Sequence, residues 1–284
     1  MDDWETLGAV DPRQLIDVRR QIHWAAQAAS AVGKQLLPPR PDVSQQSFEW
    51  QAHPRGLAQG LVAGERPFRS ALRLSPPALR LLDGDGAVLR ELPLEGRTLE
   101  EAYAWVKEEA ERLLGRPLKE LERPEGVPAH PVSEGAPFSF PDPAPAAELE
   151  RYFAGADRLF RWVRDREPKA SPVLCWPHHF DVATLIALEL IPLDPGAEAE
   201  TARSIGVGMS PGDEGRPAPY FYVLPWPRPE GKGLPPLDGG HWNTEGWTGA
   251  VLDAADFAGV GGDQRKRIER FLGSAISACR SLLE

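Results

Sequence analysis

Residues 175–183 read CWPHHFDVA and residues 49–58 read EWQAHPRGLA, with Trp176 over Trp50 and His179 over His53. Two more word pairs follow in the same order. RSALRLSP (69–76) matches RSIGVGMSP (203–211), and GAVLREL (86–92) matches GAVLDAA (249–255), each last word standing before a closing helical pattern. The offsets between paired words grow only where insertions fit. This shared order predicts a duplicated unit of helix, antiparallel strands and helix.

The patterns between the words agree with that unit. Leu15, Val18, Ile22, Ala25, Ala29, Val32 and Leu36 recur at spacings of three and four, which predicts a helix over 12–37 opened by Asp11 and Pro12. Strand-like runs follow at 47–53, 56–62, 68–75, 78–83 and 87–94, with DGDG (83–86) as a hairpin turn. A second helix is expected over 99–114, between the Thr98/Glu101 capping-box pair and Gly115. The proline-rich stretch 123–145 reads as a connector. Beyond it a helix opens at Asp142-Pro143, strands are expected at 172–180, 182–190, 203–210, 220–226 and 249–255, and a last helix spans 263–283. The expected domains are a first α+β repeat at 1–122, the connector, and a second repeat at 146–284. Short strands with turn-rich links predict antiparallel sheets with helices on one face. Duplicated units bury their exposed faces on one another, so a pseudo-two-fold axis between the halves is expected.

Composition bounds the function. The chain has 284 residues and a formal net charge of −10, with no basic stripe, which sets nucleic acid aside as a partner. Its only cysteines, Cys175 and Cys279, form no disulfide framework and point to a reducing cytoplasm. The start, MDDWETLGAVDP, lacks signal-peptide character, and no apolar run nears the ~20 residues of a membrane span. High Ala, Leu, Arg and Pro with little Lys fit a bacterial source.

In a regular strand, alternate side chains share a face. On that basis Cys175, His179 and Asp181 point one way, and Trp176, His178 and Phe180 the other. His179 and Asp181 are the candidate acid–base pair, an imidazole oriented by a carboxylate. With His241, from the Gly-rich insertion 235–249, they would make a facial set for a divalent transition metal. That insertion has no counterpart in the first half, as expected of an added functional loop. Trp176, His178, Trp242, Trp247, His53 and Glu49 are the candidate pocket lining for a flat or sugar-like small molecule. The bland alternative is a buried histidine bonded to the aspartate, pinning a strand. Neither a phosphate loop, a dinucleotide glycine motif nor a Gly-x-Ser-x-Gly elbow occurs. Cys175, in an apolar run, reads as inert.

WPHHFD (176–181), GVGMSPGD (206–213) and YFYVLPWP (220–227), with IHWAAQ (22–27) in looser support, resemble an uncharacterised bacterial domain family that carries Trp-Pro-His-His-Phe-Asp. The resemblance implies that His178, His179 and Asp181 matter together, and implies no activity. Two functions stay open. One is a small-molecule-binding protein, an enzyme if a metal serves it. The other is a non-catalytic binding or interaction protein in which the HHFD segment is structural.

Overall fold

The structure, a computed structural model, describes residues 4–189, 202–258 and 263–284. It is an α+β chain with antiparallel sheets. Residue 190, the last of the expected strand 182–190, lies outside that description, whereas the expected C-terminal helix 263–283 lies within it. Among the described residues, no helix is long and apolar enough to cross a membrane.

The chain divides into two compact units. The first takes Gln14–Glu150 and Leu174–Phe180, and the second takes residues up to Arg13, Arg151–Val173 and residues from Asp181 onward. The division therefore falls inside a helix, between Glu150 and Arg151, and not in the proline-rich connector. It falls again inside the WPHHFD words, between Phe180 and Asp181.

Helix α1 (Pro12–Leu36), in the first unit from Gln14 onward, starts as the sequence predicts, with Asp11 Oδ1 accepting the Arg13 amide at 2.9 Å. Its burial is wider than a stripe: every residue from Gln21 to Gly33 is buried. Small side chains permit this. At Gly33 a Cβ would lie 2.3 Å from Gln59 Nε2, and the Gly33 amide donates to Gln59 Oε1 at 2.9 Å. Five strands follow as an antiparallel meander: β1 (Glu49–Ala52), β2 (Arg55–Ala58), β3 (Arg69–Arg73), β4 (Ala78–Leu82) and β5 (Val88–Pro93). Asp83 Oδ1 accepts the Asp85 and Ala87 amides, and Gly86 at φ +90° closes the DGDG turn. Next comes α2 (Leu99–Leu114), with the full Thr98–Glu101 capping box and Gly115 at φ +70° as its C-cap. The short β6 (Leu174–Trp176) also belongs to this unit and is bridged at Cys175 to Phe48 by two backbone hydrogen bonds.

Helix α3 (Pro143–Arg164) enters the second unit at Arg151. Its strands are β7 (Asp181–Ala187), β8 (Ser204–Ser210), β9 (Tyr220–Trp226), β10 (His241–Asn243) and β11 (Gly249–Asp253). They lie in the order β10-β11-β9-β8-β7, all antiparallel. The one-turn α4 (Ala254–Phe257) and α5 (Gln264–Leu283) complete the unit. Alternation on β9 sorts the two faces. Phe221 points to the helices, edge-on to Phe160 and Phe257, while Tyr220 and Tyr222 point to the other face.

Candidate functional site

The WPHHF words form a turn and not a strand. Pro177–Phe180 link β6 to β7, with the His179 and Phe180 amides both donating to the Trp176 carbonyl at 3.2 and 2.7 Å. Phe180 has φ +58° and is 1% exposed. A left-handed residue breaks the two-residue alternation, so the spacing of His179 and Asp181 puts no shared face between them. The expected separation of His178 from His179 fails for the same reason. Their rings lie 4.3 Å apart, with Trp176 edge-on to His178 at 6.0 Å, and both histidines are exposed.

Helix α1 holds this turn. His23 and Gln27, one helical turn apart, both bond the buried Pro177 carbonyl, His23 Nε2 at 2.7 Å and Gln27 Nε2 at 2.6 Å. The His23 ring stacks on Phe180 at 5.2 Å and 9°. The carbonyl can only accept, so Nε2 carries the proton. Burial pushes the His23 pKa down to about 4, with smaller pushes from Arg19, His179 and His178 and a partial offset from the Pro177 bond. The IHWAAQ and WPHHFD words, 150 residues apart at Gln27 and Pro177, are thus one construction. Desolvation, then His179, also lowers the His178 pKa.

The second unit carries a polar row across the Tyr220–Tyr222 face of its sheet. Ser210 pairs Tyr220, and Tyr220 pairs Asp253. Asp181 stands one place before Val182, which pairs Met209 beside Ser210. The Tyr222 ring lies over Gly208, where a Cβ would meet it at 2.2 Å, and its hydroxyl donates to Asp181 Oδ2. Burial first, then the Asp181 carboxylate, keep the Tyr222 hydroxyl protonated far above the ordinary phenol range. Tyr220 donates to Asp213 Oδ2 at 2.6 Å, and its pKa is raised by burial and by that bond. The SPGD words make the expected tight turn: Asp213 Oδ1 accepts the Gly215 and Arg216 amides at 2.8 and 2.7 Å. That turn delivers Arg216 to Asp253 Oδ1 at 3.0 Å and to Asn243 Oδ1 at 2.9 Å.

The proposed ligand set of His179, Asp181 and His241 does not form. Asp181 starts β7 and His241 starts β10, with β8, β9 and β11 between them. Four strand spacings are about 19 Å, whereas donors on one ion lie within about 4–5 Å of each other. His241 has other neighbours. One donor atom each from His241, Asp253 and Asp256 lies within 4.8 Å of the others. Part of that proximity is ordinary capping, since Asp256 Oδ2 accepts the Asp253 amide at 3.2 Å as the first turn of α4 demands. His241 Nδ1 stands 3.8 Å from Asp253 Oδ2.

The expected aromatic lining is dispersed as well. Trp242 pairs Ala250 and so lies on the opposite face from His241 and Asn243, its Nε1 donating to Pro235 O at 2.7 Å. The Trp247 ring lies over Gly249, on the polar face. Glu49 opens β1 and lines a small cleft with Arg40 and Ser47, while His53 stands exposed in the β1–β2 turn at the other end of the strand. Asp253, Asp256, Arg216, Tyr220, Tyr222 and Asp213 were not among the sequence candidates. The alternation of Tyr220 and Tyr222 on one strand was the available signal for part of this set.

No family model matches the chain, and no curated protein or solved structure matches it.

Proposed function

We propose that the chain binds a small polar molecule on its second unit, through a divalent transition-metal ion held by His241, Asp253 and Asp256. The observation that carries this is the convergence of the three donor atoms within 4.8 Å, with His241 and Asp256 exposed. One imidazole and two carboxylates suit such an ion, and three protein donors leave positions for a ligand. Arg216 neutralises part of the Asp253 charge, so the site is a weak one in the free protein. Metal analysis and calorimetric titration with Zn²⁺ and Mn²⁺ test this. One ion per chain, lost in His241→Ala, supports it. Equal uptake by wild type and His241→Ala ends it.

A second function has its own support. His23, Gln27 and Phe180 anchor the Pro177 turn by two hydrogen bonds and a ring stack. That suits a non-catalytic binding or interaction protein in which the segment is structural. Thermal melts test the anchoring: His23→Ala lowers the midpoint while His179→Ala, at an exposed position, leaves it in place, and an unchanged midpoint in His23→Ala ends this reading.

We also infer that the two halves descend from one duplicated unit. The strand order supports this: β1-β2-β3-β4-β5 and β6-β7-β8-β9-β11 each follow a long helix and precede another. EWQAHPRGLA and CWPHHFDVA each cover a strand, a tight turn and the start of the next strand, with His53 and His179 both in the turn. β10 is then the extra strand, inside the insertion 235–249 that has no first-half counterpart.

A further inference from the structure

Asp256 belongs to two features at once. It contributes to the His241–Asp253–Asp256 cluster, and it lines a cleft of about 390 Å³ shared by Asp238, Gly239, Gly240, Arg267 and Arg270. Resting on the metal site proposed above, we infer the class of its ligand: a small molecule carrying a phosphate or carboxylate group, seated on Arg267 and Arg270 with its remainder toward His241.

The cleft has the volume of a small-metabolite site. Arg267 and Arg270 are three apart on α5, which places them on one side of the helix. In a chain of net charge −10 the cleft's own charged lining is balanced, Arg267 and Arg270 against Asp238 and Asp256, and the two guanidinium groups stand side by side in it. Neither is used up. Arg267 Nη1 donates to the Asp256 backbone carbonyl, and Arg270 Nε stands 3.9 Å from Asp238 Oδ2 with both side chains more than half exposed. A guanidinium has five N–H donors in a fork that fits oxyanions two bonds at a time. Of the acidic lining, Asp256 turns Oδ2 to the Asp253 amide, and Asp238 pairs Arg270 at 3.9 Å, a loose surface pair with which an incoming anion competes for the guanidinium.

The floor is shaped for close approach. Gly239 and Gly240 sit at φ +94° and +66°. A Cβ at Gly240 would lie 2.2 Å from the Val251 carbonyl and 2.9 Å from the Phe271 ring, so the loop backbone presses against β11 and α5.

The test is calorimetric titration of the full chain with inorganic phosphate, glycerol 3-phosphate, succinate and glycerol, with and without Mn²⁺. Saturable binding of at least one anion and none of glycerol is expected, weakening as salt rises. Arg270→Gln and Arg267→Gln/Arg270→Gln should raise the anion Kd about tenfold or more, as loss of a charge-assisted hydrogen bond does. Circular dichroism confirms that the variants are folded. Phosphate-only or succinate-only binding assigns the group. Anion binding that survives His241→Ala but loses its Mn²⁺ enhancement supports both sites. Anion binding with no Mn²⁺ effect in any variant keeps the arginine site and refutes the metal reading. Absence of saturable anion binding, or binding unchanged in the double variant, overturns the inference.

Discussion

Acid should destabilise this protein through His23. The ring is 6% exposed, donates to the Pro177 carbonyl and is held neutral, with its pKa at about 4 against 6.5 for an unhindered imidazole. The folded state therefore binds fewer protons than the unfolded chain between those values. Stability from this group is complete above pH 6.5 and is lost as pH falls toward 4. Holding the ring neutral from its ordinary 6.5 down to about 4 is worth about 3 kcal/mol once pH is below 4. Between pH 7.5 and pH 5 the loss is about 2 kcal/mol. Few carboxylates titrate in that upper interval, so it isolates histidine. Urea unfolding, followed by the fluorescence of Trp24, one residue from His23, and of the other tryptophans, gives the midpoint at each pH. His23→Gln keeps an amide donor for Pro177 O and removes the titration. Its unfolding free energy should fall by about 2 kcal/mol less than that of wild type over the same interval. His178 shifts the same way and is present in both proteins, so it cancels. Equal acid sensitivity of wild type and His23→Gln would refute a neutral, buried His23 as the cause.

Gly208→Ala should cost about 1–3 kcal/mol, because the new methyl group meets the Tyr222 ring and lifts its hydroxyl from Asp181. The double variant Gly208→Ala/Tyr222→Phe should cost less than the sum of the singles, and additive losses in chemical denaturation would contradict that contact. Thr98→Ala removes one half of the α2 capping box and should lower stability by about 1 kcal/mol, read from the thermal midpoint.

What was legible from the chain alone was local. The α1 start at Asp11–Pro12, the α2 caps, the DGDG turn and nearly every strand follow from periodicity and from residues that satisfy nearby backbone groups. Such preferences act within a few residues and need no distant partner. The site was legible only in outline, because His241 was a candidate and its partners were not. Asp253 and Asp256 look in sequence like a helix cap, and the tertiary pairing of β10 with β11 is what brings His241 to them. The failure at His179 and Asp181 has one backbone cause. Phe180 adopts φ +58°, a conformation costly for a bulky residue, and it is held there by the stack on His23 and the Pro177 bonds from α1. Alternation is a property of extended chain. Here a helix far away in sequence decided that the chain would turn, and only tertiary packing could supply the energy to hold it so.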